Sequence, residues 1–173
     1  MPCESAASEP TDDEDDAREG GKAGADGNGP ERTVTGTVIT SAHDPAVRIE
    51  LPPSVQYVGA DRWVLYGMAD CELHAFVDAD ARKAVRKLYW VQFEQYLPTR
   101  PELHHTYDSP QHTSIGGLYF YVDTWVQVKG AKEEHGSDSE HIEALLRGKG
   151  YDTPAGMIAG AWCICWMRRS ARN

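Results

Sequence analysis

Apolar and polar positions alternate with a period of two through most of the chain after Thr33, and that pattern predicts strands. Residues 33–40 set Val34 and Val38 against Thr33, Thr35 and Thr37. Residues 47–51 put Val47, Ile49 and Leu51 on one face, Arg48 and Glu50 on the other, and end at Pro52-Pro53. Residues 56–58 and 63–68 follow, divided by a turn at Gly59-Ala60-Asp61. Residues 71–78 send Cys71, Leu73, Ala75 and Val77 to one side and Glu72, His74 and Phe76 to the other. Residues 78–97 fit two patterns. A helix would use Asp78 as its cap, Val85, Leu88 and Tyr89 at helical spacing, and Pro98 as its stop. A hairpin would turn at 78–82 into a strand over 85–97. Gln92 and Gln95 interrupt the helical stripe, and the aromatic and β-branched enrichment favours the hairpin. Residues 98–114 read as a long loop, 118–128 as another strand after Gly116-Gly117, and 129–136 as a charged connection. Ser137 and Glu140 form a capping box for a helix with Ile142, Leu145 and Leu146 as its apolar stripe, closed by Gly148 or Gly150. Residues 155–167 read as a last strand. The expected fold is α+β: mainly antiparallel sheet, curled or closed into a small barrel, with one C-terminal helix.

Charge changes the domain picture. The 173 residues carry 27 acids and 17 bases, net −10. Residues 1–32 alone hold ten acids and three bases, and no Val, Ile, Leu, Phe, Tyr or Trp. A segment without such residues buries too little apolar surface to offset the entropy of ordering it, so 1–32 is expected to be a disordered acidic leader and 33–173 a single domain. The acidity therefore belongs mostly to the leader. No cluster of Lys and Arg suggests nucleic acid as a partner. No apolar run reaches the ~18–20 residues that span a bilayer, and no signal peptide is recognised, so no membrane partner is expected. Four unevenly spaced Cys read as reduced thiols, which places the chain in the cytoplasm.

Three groups of residues invite chemistry. His104, His105 and His112 with Asp108 share one loop and are weak candidates for a metal, because their spacing matches no tight ligand pattern; the plainer reading is a polar surface loop, with no metal. A polar and aromatic stripe runs over several strands: Glu72 and His74, then Trp90, Gln92, Glu94 and Tyr96, then Tyr119, Tyr121, Asp123 and Trp125. On a curled sheet such a stripe lines a small-molecule cavity, with Trp90, Glu94, Tyr121, Asp123 and Trp125 as the binding set. The plainer reading is the solvated face of an antiparallel sheet. Within the stripe, His74 with Glu94 or Asp123 is the candidate acid–base pair of an enzyme. Cys163-Ile164-Cys165 lacks the partners of a zinc or redox motif. Neither a phosphate-binding Gly loop nor a Ser nucleophile elbow is present, and no cofactor is indicated.

Longer words carry a resemblance. Residues 65–74 (LYGMADCELH) and 88–98 (LYWVQFEQYLP), with Gly116-Gly117-Leu118, Ser137-Asp138 and Lys149-Gly150-Tyr151, resemble a family of bacterial proteins of unassigned function. The resemblance implies no activity, and it implies a further strand pair beyond the helix. The C-terminus departs from it. Residues 161–173 can be back-translated so that reading two bases later yields Val-Val-His-Leu-Leu-Asp-Ala-Ala-Lys-Arg-Lys-Glu, so the last ~15 residues are expected to be out of their ancestral frame. Three functional expectations follow: a small-molecule-binding domain, a small acid–base or metal-assisted enzyme, and an interaction module that pairs through its sheet as a homo-oligomer. A closed cavity, convergent His and carboxylate groups, or a flat exposed stripe would separate them.

Overall fold

The computed structural model describes residues 29–105, 107, 109–129 and 135–165. Among these are nine strands and one helix: β1 (Thr33–Thr35), β2 (Val38–Ser41), β3 (Val47–Glu50), β4 (Gln56–Leu65), β5 (Ala69–Ala79), β6 (Val85–Tyr96), β7 (His112–Ile115), β8 (Leu118–Val128), α1 (Asp138–Gly148) and β9 (Gly156–Cys163). They form three separate three-stranded antiparallel sheets, β1-β2-β3, β4-β5-β6 and β7-β8-β9. The sheets do not close, so the expected barrel is corrected to open sheets. A continuous barrel needs strands that pass from one sheet to the next, and here each group of three pairs only within itself.

Strand β5 is the axis of the core. Residues 71–77 are buried without interruption, as a strand covered on both faces must be. Its Leu73, Ala75 and Val77 pack with Ile142 and Leu146 of α1, together with Val85. On the opposite face Phe76 joins Phe93, Ile39 of β2 and Val55, with Val34, Val47 and Ile49 of the first sheet around them. The order of layers is thus helix, sheet β4-β5-β6, sheet β1-β2-β3. The helix begins as its sequence requires: the Ser137 side chain accepts from the Glu140 amide at 3.3 Å, and Glu140 reaches back to the Gly136 amide.

Two predicted elements are redrawn by single glycines. Residues 33–40 make two strands, because Gly36 sits at φ +59 and turns β1 back onto β2. Residues 56–65 make one strand instead of two. Val58 is the extra residue of a bulge between the Tyr57–Phe76 and Gly59–Ala75 pairs, and Gly59 (φ +151) takes up the kink that looked like a turn. The hairpin over 78–97 is present as β5 and β6. The loop after Pro98 yields β7 at its end.

The leader boundary also moves. Residues 1–28 lie outside the described residues, whereas 29–32 are tied to the second sheet. The last strand occupies Gly156–Cys163. Residues 166–173, on which most of the frame expectation falls, lie outside the described residues.

Candidate functional site

The densest polar centre is built on β5, between the two inner sheets. Glu72 is 2% exposed and His74 1% exposed. A carboxylate so placed must be paired. The Glu72 oxygens accept from the amides of Glu31 (2.8 Å) and Arg32 (2.9 Å), from Arg32 Nη1 (3.0 Å), and from His74 Nε2 (2.8 Å). Tyr57, on the neighbouring strand, brings its hydroxyl to 3.2 Å from His74 Nδ1. Burial alone would raise the Glu72 carboxyl. The bonds from His74, the two amides and Arg32 outweigh it and bring the pKa down to about 2. An ionised Glu72 only accepts, so His74 Nε2 carries the hydrogen of their bond. Tyr57 is pushed up to about 12, by burial first and then by the Glu72 charge, so it stays a phenol.

Chemically, this carboxylate–imidazole–phenol chain is closed. Both ring nitrogens of His74 are engaged, and the ring is covered. A general base must reach the proton it removes, and here no imidazole nitrogen faces solvent. Beside it lies a cleft of about 50 Å³ lined by Arg32, Arg62, Asp70, Glu72, Phe93 and Glu94, among others. Cavities for drug-sized ligands run to several hundred Å³.

The expected partners of His74 are elsewhere. Residues directly opposite in an antiparallel pair share a face. Glu72 lies opposite Phe93, and His74 opposite Val91. Trp90, Gln92 and Glu94 lie opposite Ala75, Leu73 and Cys71, on the helix side. The supposed single stripe is therefore two stripes on opposite faces, and His74 and Glu94 cannot pair. The cause is one residue. Asp78 pairs with Lys87 but Ala79 with Val85, so Arg86 is an extra residue that flips every later β6 side chain to the other face.

Glu94 instead approaches His105 (3.8 Å), whose ring stacks on Tyr96 at 4.3 Å. Burial raises the Glu94 carboxyl; His105 opposes that and Asp138 adds to it. Asp123 belongs to the third sheet, where the Tyr107 hydroxyl and Ser109 Oγ donate to it. That bond to Asp123, and then burial, raise the Tyr107 phenol. Tyr121 carries the Tyr107 ring at 5.9 Å. Trp90 and Trp125 each donate to the glutamine two residues on, Gln92 (2.8 Å) and Gln127 (3.1 Å), so both indoles are bonded along their own strands. His112 stacks on Tyr119, and His104 is exposed. Among the described residues no group of three or more His, Cys, Asp or Glu gathers as a metal site. The Cys163 thiol is raised by burial, with a bond from Tyr107 opposing the shift.

Three residues of the polar centre were not expected: Arg32, Tyr57 and Arg62. Composition alone assigns Arg32 to the acidic leader. The available signal was the pair Glu72 and His74 inside a buried strand, which demands a cation from somewhere in the chain.

The third sheet has an unusual surface. One face carries Phe120, Val122, Val126 and Val128 of β8 with Ile158 and Trp162 of β9, brought together by the pairs Val122–Trp162 and Val126–Ile158. Four of them are exposed, Ile158 at 86%, Val126 at 70%, Trp162 at 55% and Val128 at 54%, while Phe120 and Val122 are half-buried. The Tyr121–Asp123–Trp125 face is the other one, with Tyr107 and Ser109 lying against its Tyr121 and Asp123. No family model, no curated protein and no solved structure matches the chain.

Proposed function

We propose that the chain is an interaction module that pairs with a second copy of itself through the apolar face of sheet β7-β8-β9. The observation that carries this reading is the exposure of Val126, Val128, Ile158 and Trp162 side by side on one sheet face. An apolar face of a sheet is covered in a stable fold, and contiguous exposed apolar patches mark sites of association. The charge pattern favours a second copy as the cover. The chain is net −10, yet Thr113, Ile115, Phe120, Val122, Thr124, Val126 and the β9 positions on this face include no ionisable group. Two copies meeting there bring no like charges into contact, and each offers the other the same uncharged face. Sheets stacked this way lie about 10 Å apart at roughly 30°. The closed geometry around His74 and the small cleft give the catalytic and small-molecule readings less support.

Tryptophan emission tests the reading. As concentration rises, Trp162 leaves water, so emission shifts blue and acrylamide quenching falls; Trp162→Phe removes most of the change. Val126→Asp with Ile158→Asp, both at exposed positions, abolishes it. Emission and quenching that stay constant with concentration would overturn the proposal.

A further inference from the structure

Residues 29–32 are held against the second sheet as a bound peptide would be. Arg62 Nη1 donates to the Gly29 carbonyl (3.0 Å), and Arg62 Nη2 pairs with the Glu31 carboxylate (2.8 Å). The amides of Glu31 and Arg32 both donate to Glu72. The Arg32 guanidinium, its side chain 10% exposed, is then ringed by partners beyond its own neighbour Glu31. Nη1 meets Glu72 at 3.0 Å, Nε meets Ser41 Oγ at 3.4 Å, Nη2 meets the Asp44 carbonyl at 3.4 Å, and the Phe93 ring lies 4.5 Å from Cζ.

We infer that Glu72, Ser41, the Asp44 carbonyl and the Phe93 ring form a receptor for the guanidinium of an extended Glu-Arg peptide, which residues 29–32 of this chain fill in cis. The inference is independent of the apolar face. Its first support is construction: the walls come from β2, the segment after it, β5 and β6, all of them beyond the peptide they hold. Its second is preorganisation. Glu72 is fixed from behind by His74, itself bonded to Tyr57, and Arg62 is fixed by a two-bond pair with Asp70. A group oriented by its own neighbours keeps its geometry when the ligand leaves. Its third is shape. A carboxylate edge, two acceptors on the remaining edges and an aromatic floor match a planar fork that donates in several directions, whereas a lysine ammonium is a point charge on a flexible stem. An arginine peptide from another molecule, preceded by an acid for Arg62, fits the same contacts once residues 29–32 move away. Tethering keeps the resident segment at an effective concentration in the millimolar range, so a free peptide competes poorly with it in the unaltered chain.

The test uses the full chain with Arg32→Ala and the probe acetyl-Gly-Pro-Glu-Arg-amide, followed by thermal midpoint and titration calorimetry. The expected result is saturable binding with a raised midpoint, at least tenfold weaker binding to the unaltered chain, and no response to the matching Lys peptide. Adding Glu72→Gln to Arg32→Ala removes the binding. If Arg32→Ala alone fails to fold, recovery of its sheet signal on adding the Arg peptide supports the receptor, and lack of recovery overturns it. A folded Arg32→Ala chain that ignores the Arg peptide, or answers the Lys peptide equally, also overturns it.

Discussion

Glu72 is an ion in a strand that is otherwise built for a core, and its neighbours make that tenable. Its carboxyl is held near 2 against an ordinary 4.5. A depressed carboxylate contributes stability above the unfolded pKa and loses it as pH falls through the folded one. The contribution is therefore present above about pH 4.5 and disappears between there and pH 2. At 1.36 kcal/mol per unit, a group this buried is worth about 3 kcal/mol. Urea midpoints from pH 6 to 2 should show that loss in the unaltered chain and a flatter profile in Glu72→Gln, which starts less stable because Arg32 loses its buried carboxylate partner. Equal slopes in the two would contradict it. Trp90 and Trp125 show the opposite lesson. The triplet Trp-Val-Gln occurs on β6 and again on β8, each indole bonded to its own glutamine. As a sequence these are aromatic residues ready for a ligand; in place, their donors are already used.

At the level of elements, β3, β5, β8 and the helix were legible because a pure period-two or capping-box pattern leaves little choice. What was not legible was the parity of β6. A bulge adds one residue with no mark in composition, and Arg86 moves Trp90, Gln92 and Glu94 away from the His74 face. That one residue separates His74 from Glu94, while Tyr121, Asp123 and Trp125 lie on a different sheet altogether. Arg86 also forms an exposed pair with Asp78 (2.5 Å), worth at most ~1 kcal/mol. Arg86→Ala should therefore change the unfolding free energy by no more than about 1 kcal/mol. Deleting Arg86 should be nearly as harmless, because Lys87 then follows Val85 directly and keeps its place opposite Asp78, and the later β6 side chains keep their faces. A deletion that abolishes cooperative unfolding would refute the bulge, because removing a paired residue slips the register and turns the polar β6 side chains toward Phe76. Gly59 is the second such point. Its φ of +151 suits glycine, and an added Cβ would stand 3.4 Å from Leu145 Cδ1 of the helix. Gly59→Ala should cost about 1–3 kcal/mol by urea unfolding; no loss would mean that the bulge is not under constraint.

The molecule as a whole is two unequal parts. Helix α1, β4-β5-β6 and β1-β2-β3 form three layers whose buried residues account for both core clusters. Sheet β7-β8-β9 contributes no residue to either cluster and leaves one apolar face open. The alternation of residues 118–128 marks β8 and its two faces. Periodicity shows that a strand has an apolar face, but not whether the chain itself covers it. The β8 stripe is one side of a sheet that exposes Tyr119 and Trp125 on that side and Val126, Val128, Ile158 and Trp162 on the other. Sedimentation equilibrium of the unaltered chain, from about 1 to 200 µM, tests this most directly. We expect a monomer–dimer equilibrium that Val126→Asp with Ile158→Asp shifts wholly to monomer. A single monomeric mass for the unaltered chain over the entire range would contradict self-association through this face.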